Sequence, residues 1–131
     1  MSNSTDLTIF RNDIKPKISL KCYLERFLTY GDFSYHHLLA GLVIAKRFYE
    51  NVGEKKGELC SFKIYGASLF LVHKFLDEDE HWSIEDYGTI SGYRASTLLA
   101  LEDLLCEILD YQIFVSRKDL EEITEQFGCV E

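Results

Sequence analysis

The sequence predicts an all-α fold, and three observations carry that prediction. Apolar residues recur near every 3.6 positions through most of the chain, the period of a helix with one buried face. The only proline is Pro16, whereas a β-rich chain of this size places proline and glycine at many turns. The segment 62–76, FKIYGASLFLVHKFL, is apolar on nearly every side, which fits a helix lying among other helices. At 131 residues, 47% of them apolar, the chain matches one domain with a real core.

Each element has its own signals. Residues 1–17 lack periodicity and read as a loose N-terminal arm or a poorly ordered first helix. A helix over 18–30 puts Ile18, Cys22, Tyr23, Phe27 and Tyr30 on one face and stops at Gly31. Ser34 caps a second helix reaching about Tyr49, with Leu38, Leu39, Leu42, Val43 and Ala45 inward. Asn51, Gly53 and Gly57 mark a loop. The central helix follows over 58–76, where Gly66 and Ala67 allow a neighbouring helix close. Ser83-Ile-Glu-Asp86 has capping-box spacing and opens a short helix that Gly92 ends. The stretch 94–111 is a long helix with Leu98, Leu101, Leu105, Ile108 and Leu109 inward. Ser116-Arg-Lys-Asp119 caps a last helix, closed by Gly128.

Charge and cysteine usage narrow the function classes. Residues 1–63 carry ten basic and seven acidic side chains, and residues 64–131 carry four and fifteen. The net charges are therefore +3 and −11, and −8 for the whole chain. Such a chain repels phosphate backbones, so no nucleic-acid partner is expected and a basic protein surface is favoured. The acidic run Asp77 to Glu80 reads as a solvated loop or a docking point for basic groups. Cys22, Cys60, Cys106 and Cys129 are too scattered for a zinc ribbon or a redox pair and read as reduced thiols. The polar opening MSNSTDLTIF lacks a secretory leader pattern, and no apolar run is long enough to span a membrane. A cytoplasmic or nuclear location without membrane association is expected. No nucleophile triad, phosphate loop or clustered metal ligands occur, so neither enzymatic chemistry nor a metal or other cofactor is expected.

Five motifs then stand in order: YLERF at 23–27, IAKRF at 44–48, FKIYGASLFLVHKFLDED at 62–79, WSIEDYGTISG at 82–92 and LLALEDLLCEILDYQIFV at 98–115. Together they resemble the helix series of a cyclin box, nearest to the single-box Pho80-like (P/U-type) cyclins. The matching family patterns are YLxRI, YIDRF, HRxxxxxxxxAxKxxxD, YSNxxWAKVGG and LNxLExxFLxxLDFxLxV. The resemblance covers roughly residues 18–125, most of one domain. Departures are Lys46, Lys63, Ile84 and Leu99, where the family carries aspartate, arginine, asparagine and asparagine.

The resemblance implies a single cyclin box over 18–127 with a C-terminal flanking helix: a five-helix bundle around a buried central helix, with short flanking helices. It implies a regulatory subunit that binds and activates a cyclin-dependent protein kinase of the Pho85/Cdk5-like kind by positioning the kinase's αC helix. Lys74 and Glu102 match the family's polar pair on the kinase-facing surface. Phe75, Cys106, Tyr111 and Ile113 match the apolar contacts around it, with Phe75, Tyr111 and Ile113 expected at least partly exposed. Taken without the resemblance, Lys74 is a snorkelling helix-end lysine, Glu102 an exposed carboxylate beside Asp103, and the other four ordinary core. The competing family reading is a cyclin-fold adaptor of the transcription-factor-IIB or retinoblastoma kind that binds other proteins without a kinase.

Overall fold

The computed structural model describes Phe10 and residues 18–30, 33–53, 59–76 and 84–127. Among these residues there are six α-helices and no β-strand. They are α1 (Leu20–Tyr30), α2 (Tyr35–Val52), α3 (Ser61–Leu76), α4 (Ile84–Ser91), α5 (Ala95–Ile108) and α6 (Arg117–Phe127).

The helix α3 is the axis. It packs most extensively on α2 and α5 and also meets α1. Two apolar clusters lie on either side of it. Ile64, Ala67, Leu71 and Val72 join Ile44, Phe48, Leu101 and Leu105 in one. Leu69 and Phe70 join Tyr23, Phe27, Tyr87 and Leu98 in the other. A helix contributing to cores on both flanks has no face left for polar residues, which is why its sequence shows no polar stripe.

Close approach to α3 is set from α2. A side chain at Gly41 would meet Leu69 Cδ2 at 2.7 Å, so the bare backbone there lets α2 come in. Gly66, expected to play that part, instead faces tyrosines: its carbonyl accepts from Tyr87 Oη at 2.6 Å, and Tyr23 Oη lies 3.0 Å from where a Cβ would be. The Tyr23 hydroxyl donates to the Ser91 carbonyl at 2.7 Å, tying α1 to the end of α4.

The caps follow the sequence signals where the structure describes them. Ser34 Oγ accepts from the His37 backbone, and His37 Nδ1 accepts from the Ser34 backbone at 3.0 Å, a capping box closed by histidine. Ser116 and Asp119 do the same for α6, at 3.0 and 2.9 Å. Gly92, with φ 84°, follows α4 as expected. Ser83, Gly128, Cys129 and the run Asp77 to Glu80 lie outside the described residues.

Three further expectations change. Cys22 and Tyr30 are exposed rather than inward, because Tyr23 and Phe27 alone define the buried face of α1. Phe10, placed in a loose arm, is fully buried: its ring lies 4.9 Å from that of Phe48, and its carbonyl accepts from the Cys60 N–H. The long helix ends at Ile108, three residues early, as Asp110 (φ 54°) and Tyr111 (φ 60°) turn left-handed. That conformation costs an L-residue about 1–2 kcal/mol and needs surrounding structure to hold it.

Candidate docking surface

The last turn of α3 brings Lys74 beside α5, and the buried face of α5 carries Glu102 toward it. Lys74 Nζ donates to both carboxylate oxygens of Glu102, at 2.9 and 3.1 Å. The residues are 28 positions apart, so the pair bridges the two elements. Glu102 is only 8% exposed, which excludes the reading of a solvated carboxylate. Its side chain is 11% exposed and that of Lys74 is 42% exposed. Lys74 also lies 5.2 Å from the centre of the Phe70 ring, a cation–π contact, and at the C-terminal end of α3, where the helix dipole favours positive charge.

Around the pair the side chains divide. Phe75 (63% exposed) and Tyr111 (68% exposed) stand out into solvent. Ile113 and Cys106 are half-buried and pack against the main core. Burial, then the neighbouring Glu102 and Asp103 carboxylates, push the Cys106 thiol above its ordinary pKa, so it stays a protonated, weakly polar contact. Cys22, Cys60 and Cys106 are all free thiols.

Sequence reasoning did not single out Phe114, the most exposed large apolar side chain described, at 79%. With Phe75, Ile113 and Val115 it walls an apolar pocket of about 340 Å³, floored by Ala40, Ile44, Leu71 and Val72. The signal was present. In Ile113-Phe114-Val115, just before the Ser116 cap, extended residues alternate in direction and all three cannot point inward.

Arg47 of α2 shapes this wall. Its Nη1 donates to the carbonyls of Gln112 (3.0 Å) and Phe114 (2.8 Å), and its Nη2 to Asp119 Oδ2 at 2.9 Å. One guanidinium thus ties the 112–116 connector and the first turn of α6 to α2. The hydrogen bond from the Ser116 backbone, and then the Arg47 charge and hydrogen bond, hold the Asp119 carboxyl below its usual range. Beside it Lys46 of α2 donates to Gln126 at 2.9 Å, a second tie that seats α6.

No family model, curated protein or solved structure matches this chain. The surface itself must therefore carry the functional argument. Among the described residues no three His, Cys, Asp or Glu side chains converge as for a metal ion. Among them, too, no helix is long and apolar enough to cross a membrane. What the surface offers is a half-buried polar pair, large apolar side chains and an apolar pocket, the ordinary make-up of a binding hot spot.

Proposed function

We propose that this chain is a cyclin-like regulatory subunit, a single cyclin box that binds and activates a cyclin-dependent protein kinase. The observation that carries the reading is the bidentate Lys74–Glu102 pair at the edge of the exposed Phe75, Tyr111 and Phe114. The ordered motif series and the buried position of α3 support it.

The chemistry is recognition alone. Lys74 has three N–H donors, and two are engaged by Glu102. The third is available to a carbonyl or carboxylate of the partner, and the Glu102 oxygens retain lone pairs for partner donors. Apolar side chains closing round the pair exclude water, which strengthens both interactions. Seated against the kinase's αC helix, the surface favours the conformer in which the kinase's lysine–glutamate pair and metal-binding aspartate are in place. Activation is then a population shift driven by tighter binding to that conformer.

Titration against purified cyclin-dependent kinases, with kinase activity as second readout, tests this. Lys74→Ala and Glu102→Ala are expected to weaken binding by roughly 2–5 kcal/mol, largely through faster dissociation. Lys21→Ala on the exposed side of α1 is the control. Unaltered kinase affinity in both pair variants, or no binding by wild type to any kinase, removes the reading.

A further inference from the structure

The helix α5 ends at Ile108, although Leu109-Asp110-Tyr111-Gln112 contains neither glycine nor proline. The ending has the two bonds of a Schellman cap. The Asp110 N–H donates to the Glu107 carbonyl at 3.0 Å, and the Tyr111 N–H to the Cys106 carbonyl at 2.8 Å. The Gln112 N–H then donates to the Leu109 carbonyl at 3.0 Å. Glycine usually takes the left-handed position of such a cap, yet here aspartate and tyrosine are both left-handed, at φ 54° and 60°. Continuing the helix through Gln112 would exchange these three hydrogen bonds for three ordinary helical ones and relieve both residues. The number of backbone bonds does not choose between the two conformers, so a tether must.

That tether is Arg47. Among the described residues it is the only side chain that bonds the carbonyls of this connector, those of Gln112 and Phe114. Its other amino group holds Asp119 in a half-buried ion pair, which fixes the far end of the connector to α6. With the carbonyls held, Ile113 and Val115 pack on the core while Tyr111 and Phe114 stand out. We propose that the connector between α5 and α6 is a two-state strap latched by Arg47: latched, it presents Tyr111 and Phe114 to a partner, and unlatched, it lets α5 run on through Gln112 and takes the docking surface apart. Three charge-assisted hydrogen bonds outweigh two strained residues, and without them the balance tips. Arg47 is therefore a positioning residue. A partner that binds only the latched form sees its apparent affinity fall with the latched fraction. The partner comes from the kinase-binding reading, whereas the strap itself is tested without one.

Backbone couplings measured by nuclear magnetic resonance distinguish left-handed from helical φ at Asp110 and Tyr111. Both should read left-handed in the wild type and helical in Arg47→Ala. Asp110→Ala leaves the latch in place but should shift Tyr111 part of the way, because alanine favours helix and resists positive φ. Arg47→Ala/Asp110→Gly should turn Tyr111 left-handed again, since glycine accepts the cap position and opposes the helix. Lys46→Ala cuts only the tie to Gln126 and should read as wild type. A native circular dichroism spectrum is required of each variant. Left-handed couplings retained in folded Arg47→Ala, or a helical reading that Asp110→Gly does not reverse, overturn the proposal. If Arg47→Ala does not fold, Asp110→Ala decides, and couplings unchanged there overturn it. Titrated with a purified kinase, Arg47→Ala should bind about tenfold more weakly, and Asp110→Gly in that background should recover most of the loss. If the connector switches but no kinase binds the wild type, the strap stands and the kinase reading falls. If a kinase binds switched Arg47→Ala as tightly as wild type, the kinase reading stands and the strap's part in docking falls.

Discussion

At 2.9 Å, Lys74 and Glu102 share one ion pair, but they depend on it unequally. Removing Lys74 leaves a carboxylate at 11% exposure without its counter-charge, whereas removing Glu102 leaves an ammonium that is 42% exposed and can turn to water. Truncating one partner is costly when the other stays desolvated and slight when it does not. Lys74→Ala should therefore destabilise the free domain by about 1–2 kcal/mol, and Glu102→Ala by less than about 1. Urea denaturation of the two variants checks this, and a larger loss for Glu102→Ala would show that the pair is held the other way round. The two residues were singled out through the family resemblance; read alone, Lys74 was a snorkelling lysine and Glu102 a solvated carboxylate, since nothing local in either helix states that residues 28 apart meet. Phe114 escaped for a related reason: in a short apolar run outside any helix, which residue faces out is decided by Arg47 gripping the carbonyls on either side of Ile113.

The helices themselves were the readable part. Their caps, glycine stops and 3.6 periodicity are local, so Ser34, Ser116 and Gly92 mark real boundaries. The end of α5 was not local. Asp110 and Tyr111 are ordinary helix-compatible residues, and the chain turns left-handed because the connector must swing back to Arg47 and α2. Neighbouring structure overrode propensity there. For α3 the two agree, and its burial has a measurable magnitude. Leu69 is 1% and Phe70 6% exposed, in a core that continues across to α1 and α4. Leu69→Ala and Phe70→Ala should each cost about 2–5 kcal/mol, through lost burial and the cavity left behind. Chemical denaturation of each variant is the measurement, and two neutral results would mean that α3 is not the buried axis.

Over the whole molecule, the seams are closed by tyrosines as much as by apolar contact. Burial pushes the Tyr23, Tyr87 and Tyr93 hydroxyls above the ordinary tyrosine value of 10.0, so the folded state favours their neutral forms. Their contribution is intact while unfolded-state tyrosines are also neutral. It is lost as pH rises above about 10, where the unfolded chain ionises and the folded chain resists. The helical circular dichroism signal should therefore collapse cooperatively somewhat above pH 10, and a signal still native near pH 12 would contradict the burial of these seams. Phe10 bears on a different matter, the order in which the chain assembles. Its partners are Phe48 and the Cys60 backbone, so it cannot settle until the chain leading into α3 is in place. The helices between have local contacts of their own and can form beforehand. Phe10 then docks late, as a closing step that adds to the lifetime of the folded state and little to the speed of reaching it. Phe10→Ala should quicken unfolding several-fold and leave the folding limb of a chevron plot nearly where it was. A slowed folding limb would instead put Phe10 in the nucleus.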